Sequence, residues 1–393
     1  MGVTDMGVTG MGVTGGLTMQ AQTRSMDLNG AAIAGAGKNV AELAGKRVLV
    51  LINADGGGGV EHLAAVLGGN LERQRAQVRV DFVYPGTSAS PRAKLGGILR
   101  AAQAVCRWKP DIVMAFQPTS AAIAAVVGRL TGCPVRIIHQ SNMPGSTHVV
   151  PRLIDRAIGA LGFYSCNITN SSATEAAFVA YPAGYKRRLE RIEHGIAWRA
   201  PKRDRAQTLA AYGIPDDQPV IFSASRLVEQ KSLHTVVKAL EFMERGRFVV
   251  AGEGPEREHI VRGAQQRGLS DRLHLLGFVP NADLPDLYAA CDVLAFPSVW
   301  ETFGLVIVEA AMQGAPIVTS GINASREVLA GSGQNVRFVD TRDVGDWARA
   351  LNEIIHDVEA RPAAKAFAPV IRERYGEARM LQSYHDLYRR LLA

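Results

Sequence analysis

Two charged pairs stand out for the chemistry they could do together. Arg226 and Lys231 lie in segment 220–233, where an apolar run over 220–223 gives way to a turn and then a helical pattern. Glu301 and Glu309 bracket segment 301–309, just after a second apolar run over 293–296. A guanidinium forks to a phosphate, and an ammonium acts on it as a flexible point charge. Spaced carboxylates accept hydrogen bonds from sugar hydroxyls. Gathered in one place with a helix start, these groups would hold a nucleotide-sugar.

Local sequence predicts how each is presented. Thr302 has the chemistry of an N-cap for a helix over 304–313. The amides of Phe303, Gly304 and Leu305 would then lack helical partners and face phosphate oxygens. Glu309 sits inside an apolar helix, and a buried carboxylate needs partners such as ribose hydroxyls. Glu301, in the loop, would reach the transferred sugar. The plainer alternatives are a salt-bridged core glutamate and solvated loop cations; the strand-end setting favours binding for both pairs.

The elements that must position these groups follow from periodicity. Strands over 47–53, 78–84, 112–116 and 135–139 alternate with helices over 60–74, 94–108 and 120–130; short strands over 168–170 and 191–193 follow. A second alternation has strands over 220–223, 248–251, 273–276, 293–296 and 317–320. Helices over 233–244, 255–267, 284–290, 304–313, 343–357 and 377–392 complete it. The prediction is α/β: two Rossmann-like doubly wound domains in the architecture called GT-B, with ligands in the inter-domain cleft at the C-terminal sheet edges. The expected divisions are a low-complexity leader over 1–45 without packed structure, carrying a Met-Gly-Val-Thr repeat; an acceptor domain over 46–197; a donor domain over 198–375; and a terminal helix over 376–393 that packs back on the first domain.

The glycine run 56–59 ends the first strand and precedes a helix, so Gly58 and Gly59 would let a diphosphate or acceptor approach the backbone. Glu61 stands three residues after Gly58, which breaks the dinucleotide-binding glycine pattern, and a tight strand-to-helix turn remains the alternative. His139 ends a strand and is expected to point into the cleft, as a sugar-hydroxyl contact or acceptor-side group; a structural histidine is the alternative.

The stretches 225–231, 251–255, 276–279 and 297–318 together resemble retaining glycosyltransferases of family 4 in order and spacing, most densely over 220–330. The resemblance implies that Arg226 and Lys231 contact the donor diphosphate, Glu309 the ribose and Glu301 the donor sugar. It implies transfer with retention of anomeric configuration and no metal or other cofactor; no Asp-x-Asp stands at a strand end. His139 matches the family's active-site histidine, and Asn170, Ser171 and His194 through Ile196 resemble further turns near the cleft. Two departures bear on donor contacts: Gly321 through Glu327 replaces a glycine-rich turn, and His194 stands where asparagine is common. The expected catalytic residues are His139, Arg226, Lys231 and Glu301; the donor-binding set is Gly58, Gly59, Phe303, Gly304, Leu305 and Glu309. A GT-B nucleotide-sugar epimerase and a non-catalytic sugar-nucleotide binding protein are the competing readings.

Bulk properties bound the partners. The 393 residues are 47% hydrophobic and carry a net charge of +7, which favours anionic partners such as nucleotides, diphosphate lipids or an acidic membrane face. A nucleotide-diphosphate sugar with a glycan or lipid-linked acceptor is what the glycosyltransferase reading implies. Scattered basic residues and only 6% aromatics argue against nucleic acid. Cys106, Cys133, Cys166 and Cys291 read as small core residues. Without a signal-peptide pattern or a spanning run, the expected location is cytoplasmic, at most peripheral on the inner membrane face. Arg92, Arg100 and Arg107 share a helix face that would dock on anionic lipid, while Leu95, Leu99, Ala102 and Cys106 gather elsewhere. The alternative is an ordinary helix whose apolar face packs on its sheet.

Overall fold

The computed structural model describes residues 43–53, 59–84, 90–140 and 143–393. Most of the predicted leader lies outside the described residues, but Leu43, on the leader side of the expected boundary, is buried in the first domain's core.

The first domain runs β1 (Arg47–Ile52), α1 (Gly59–Arg73), β2 (Gln77–Phe82), α2 (Pro91–Trp108), β3 (Ile112–Phe116) and α3 (Pro118–Leu130). It continues with β4 (Val135–His139), α4 (Val149–Ala160), β5 (Cys166–Thr169), α5 (Ser172–Ala176), α6 (Ala183–Lys186) and β6 (Leu189–Arg191). The second begins with α7 (Arg205–Ala211), β7 (Val220–Ala224), α8 (Leu233–Ala239), β8 (Arg247–Ala251), α9 (Arg257–Gln265) and β9 (Leu273–Gly277). Then come α10 (Leu284–Ala290), β10 (Val293–Phe296), α11 (Leu305–Met312), β11 (Ile317–Ser320), α12 (Asn323–Val328) and β12 (Val336–Val339). Helices α13 (Val344–His356), α14 (Ala360–Arg374) and α15 (Glu377–Leu392) close the chain.

Each domain is a six-stranded sheet, ordered β2-β1-β3-β4-β5-β6 and β12-β11-β10-β7-β8-β9, with parallel pairing. Helices cover both faces, so the strands can be continuously apolar; all of β7 and all of β10 is buried. Strand order reverses beside β1 and beside β7, which opens a crevice at the C-terminal edge of each sheet. The two-domain α/β expectation holds.

Sequence periodicity predicted no element at α4, α12, β12 or α14. Strand β12 is a short edge with Arg337 inside it, and α14 carries Pro369 in its interior. Helix α4 turns apolar residues outward, so its pattern does not follow the usual rule. The helix expected over 233–244 ends at Ala239 and tightens to a 3₁₀ turn over Leu240–Phe242.

Two expectations are corrected in α2. It packs through Gly97, Ala101, Ala104 and Val105, where a Cβ on Gly97 would lie 1.8 Å from the Val83 carbonyl oxygen. This close seating leaves Leu95 and Leu99 exposed together with the arginines. Cys106 is exposed, whereas Cys133, Cys166 and Cys291 are buried.

The chain crosses between domains twice at one place. The Ile196 amide donates to the Tyr375 carbonyl (2.8 Å), and the Glu377 amide to the Ile196 carbonyl (3.2 Å). Helix α15 then returns to the first domain, placing Met380, Tyr384, Leu387 and Tyr388 in the cluster formed by β1, β3 and β4. Leu387→Ala should therefore cost about 2–5 kcal/mol, read as a lower midpoint in urea unfolding.

Candidate active site

After β7 the chain passes through Ser225, Arg226 and Leu227, pressed against Gly252, Glu253 and Gly254. Ser225 and Leu227 amides donate to the Ala251 and Glu253 carbonyls (2.9 and 2.8 Å). A Cβ on Gly252 would stand 1.9 Å from the Ser225 carbonyl oxygen, and one on Gly254 2.3 Å from that of Leu227. Both glycines have positive φ, +138° and +157°. Only glycine permits this contact, and it sets Arg226 at the sheet edge. Arg226 is exposed, and its guanidinium has no partner among the described residues.

Lys231 lies one turn further, and its ammonium pairs with the Glu301 carboxylate and sits over the Phe296 ring at 5.3 Å. The 3₁₀ turn Glu229–Lys231 is stapled to the loop after β10: Gln230 donates to the Trp300 carbonyl (2.8 Å), and the Val299 amide to the Gln230 carbonyl (2.9 Å). The expected phosphate cation and sugar carboxylate are thus each other's partners.

The helix-start expectation needs one correction. Gly304, with φ +95°, occupies the N-cap of α11, and Thr302 makes no capping bond. The amides of Phe303, Gly304 and Leu305 still have no acceptor among the described residues. Phe303 is buried, packed edge-on against His194 and Tyr375. Gly58 lies outside the described residues. Gly59, the first residue of α1, sits so near Leu305 that a Cβ would meet its Cδ1 at 2.9 Å. The first turns of α1 and α11 therefore face each other, one from each domain.

Glu309 accepts a hydrogen bond from the Tyr288 hydroxyl (2.7 Å). Burial raises its pKa, opposed by the Tyr288 bond and by the charge of Arg199. Arg199, in the linker, also acts on His62 of α1, whose pKa falls chiefly through burial. Sequence reasoning missed Tyr288 and Arg199. Nothing local marks a tyrosine on α10 as a carboxylate partner, and linker cations read as solvated.

Thr302 instead joins the domains. Its carbonyl accepts from the Ser171 hydroxyl (2.6 Å) and its hydroxyl from the Asn170 amide (3.2 Å). Glu327 caps α5 from across the cleft, accepting from the Ser172 and Ala173 amides (2.8 and 3.3 Å). The expected secondary residues Asn170, Ser171 and His194 meet here, with Asn170 Nδ2 3.0 Å from His194 Nε2.

His139 does not point into the cleft. Its ring is buried, stacked on Phe116 at 4.1 Å, with Nε2 3.0 Å from the Tyr384 hydroxyl on α15. Burial pushes its pKa down to about 3, so the imidazole is neutral at physiological pH. It borders a small pocket in the first domain, together with Gln117, Gln140, Arg152 and Asp155. Among the described residues no cluster of His, Cys, Asp or Glu could hold a metal ion.

The two parallel sheets with interleaved helices are the GT-B fold, and solved structures of that fold agree. Residues 204–369, the greater part of the second domain, match the model of the family described as glycosyl transferases group 1. The chain is 29% identical over 206 residues to the D-inositol 3-phosphate glycosyltransferase of Mycolicibacterium smegmatis, covering 50% of this chain and 46% of that protein. It is 26% identical over 306 residues to the 2-deoxystreptamine N-acetyl-D-glucosaminyltransferase of Streptomyces fradiae, 72% of each chain. Lipopolysaccharide core glycosyltransferase LpsE of Rhizobium meliloti is 26% identical over 261 residues, covering 65% of this chain and 68% of that one. The match thus spans less than half the first relative's length. Among solved structures, Anabaena HepE in complex with UDP superposes with a TM-score of 0.73 at 20% identity, covering 87% of this chain and 99% of that one. WaaG, of lipopolysaccharide biosynthesis, gives 0.70 at 15% identity, with the same coverages. At these identities the likeness is one of fold.

Two measurements check the site. Gly254→Ala adds strain of about 1–3 kcal/mol and displaces the Leu227 carbonyl, so the melting temperature should fall. His139 and His194 have pKa values depressed from 6.5 to about 3 and about 4, mainly by burial. The unfolded chain takes up these protons first, so their contribution is complete above pH 6.5 and is lost as pH falls toward 4 and 3. Melting temperature measured from neutral to acid pH should fall through this window, and less steeply in His139→Gln.

Proposed function

We propose that this protein is a metal-independent, retaining hexosyltransferase that moves a sugar from a nucleotide-diphosphate sugar to a glycan or lipid-linked acceptor. The observation that carries the reading is the meeting of two helix starts, at Gly59 and Leu305, in a molecule whose second-domain sheet edge also presents Arg226, a guanidinium with no partner among the described residues. Amides and a cation without partners among the described residues would together hold a diphosphate and take the place of a metal in neutralising it. A relative named for lipopolysaccharide core biosynthesis supports a role in polysaccharide or cell-envelope assembly.

In this reading the diphosphate draws Lys231 from Glu301, freeing the carboxylate for hydroxyls of the transferred sugar. Glu309, oriented by Tyr288, takes the ribose. The bond between the anomeric carbon and the phosphate oxygen breaks as the acceptor oxygen bonds to the same face of that carbon. The acceptor's proton passes to the departing diphosphate, whose charge Arg226, Lys231 and the amides stabilise. His139 keeps a supporting place in this scheme: its pairing with Tyr384 holds the wall of the acceptor-side cavity.

The test is nucleotide release from uridine, guanosine and adenosine diphosphate sugars, with and without glycan acceptors. One donor should be consumed in the presence of chelator, with an acceptor product of the donor's anomeric configuration. Arg226→Ala and Lys231→Ala should each lower kcat about 10²–10³-fold. A new nucleotide-sugar would indicate an epimerase, and binding without turnover a sugar-nucleotide binding protein; either result overturns the proposal.

A further inference from the structure

Helix α4 is built with its polarity reversed. Its inward face carries Asp155, which accepts from the Tyr164 and Tyr185 hydroxyls (2.6 and 2.8 Å), and Gly159, where a Cβ would lie 2.2 Å from the Tyr185 ring. Its outward face carries Val149, Val150, Leu153 and Ile154, with Leu161 just beyond its end. Val150 is 67% exposed and Leu153 54%. At 100° per residue these side chains fill one continuous stripe. The usual helix of an α/β domain hides such a stripe against its sheet. Here the polar anchor holds the helix down and frees the apolar side, and a contiguous exposed apolar patch marks an interaction surface.

The surrounding charge says what the surface fits. Arg152 and Arg156 border the stripe, and Lys186 and Arg187 stand on and just after the adjoining α6. The sole acid in segment 143–162 is Asp155, which is turned inward. Helices α2 and α4 pack on the same core cluster beneath the same sheet face, and α2 exposes Leu95 and Leu99 among Arg92, Arg100 and Arg107. Apolar stripes edged by arginines across one layer complement a surface that is apolar within and anionic at its border. A bilayer with anionic headgroups has that chemistry.

We propose that the α4 face is a membrane-docking surface, inserting Val150, Leu153 and their neighbours among the acyl chains of an anionic leaflet. Because α4 begins beside the C-terminal sheet edge, docking would bring the mouth of the acceptor-side cavity to the lipid surface. The docking itself does not depend on the glycosyl-transfer reading and is tested without donor or acceptor.

The experiment is flotation of the full chain with phosphatidylcholine vesicles, with and without phosphatidylglycerol. The protein should float with the anionic vesicles at low salt and largely fail to float with phosphatidylcholine alone or at high salt. The double variant Val150→Glu with Leu153→Glu should lower the bound fraction at least about tenfold, since it removes two apolar insertions and sets carboxylates against an anionic leaflet. Phe242→Glu, at a similarly exposed apolar site on the other domain, should float like the unaltered chain. If the glutamate pair disturbs the circular dichroism spectrum, Val150→Ser with Leu153→Ser gives the same readout. Absence of flotation with anionic vesicles, or equal flotation of the double variant, overturns the proposal. So does a dimer in light scattering that the double variant dissolves, which would assign the face to a second copy of the chain.

Discussion

The hydrogen bond from Ser171 to the Thr302 carbonyl, with Glu327 capping α5 nearby, ties together the sheet edges on which the site depends. Neither domain holds a complete set of groups alone. Arg226, Lys231, Glu301 and Glu309 come from the second, while the α1 helix start and His62 come from the first. The crossings at Ile196 and Tyr375 provide a second tie, and between the two the first turns of α1 and α11 are forced together. At Gly59 a Cβ would touch the end of the Leu305 side chain, which shows how near the two helix starts lie.

Within that frame the charges are unequally committed. Lys231 and Glu301 neutralise each other, and Glu309 is held by a phenol that opposes its rise in pKa. Arg226 has no partner among the described residues and is placed by a backbone contact that two glycines make possible. A site arranged this way keeps its carboxylates satisfied while leaving positive potential for an anionic ligand. The outer layer of the first domain has a related logic: in α4 a buried carboxylate and two phenols anchor the helix, so its leucine and valines are not needed for the core.

The strands were legible in the sequence because both faces of a parallel sheet are covered, and covered strands are continuous apolar runs. Segments such as 220–224 and 293–296 announce themselves for that reason. The charged motif residues were legible too, since the loops at strand ends are bounded by those runs. Helix α4 went unread although Val149, Val150, Leu153 and Ile154 recur at helical spacing; that its stripe faces outward is something no spacing could show. Strand β12 and helix α14 escaped because an internal Arg337 and Pro369 contradict local propensity, which tertiary packing overrides.

By itself the sequence determined the two-domain α/β architecture and the place of Arg226, Lys231, Glu301 and Glu309 at sheet edges and a helix start. Those features depend on interactions between near neighbours in the chain. Which groups meet was decided by tertiary structure alone: Lys231 with Glu301, Glu309 with Tyr288, Thr302 with Ser171, and His139 with Tyr384 rather than the cleft. Each contact joins residues tens to hundreds of positions apart, brought together by sheet order and the return of α15. No local pattern encodes such distances.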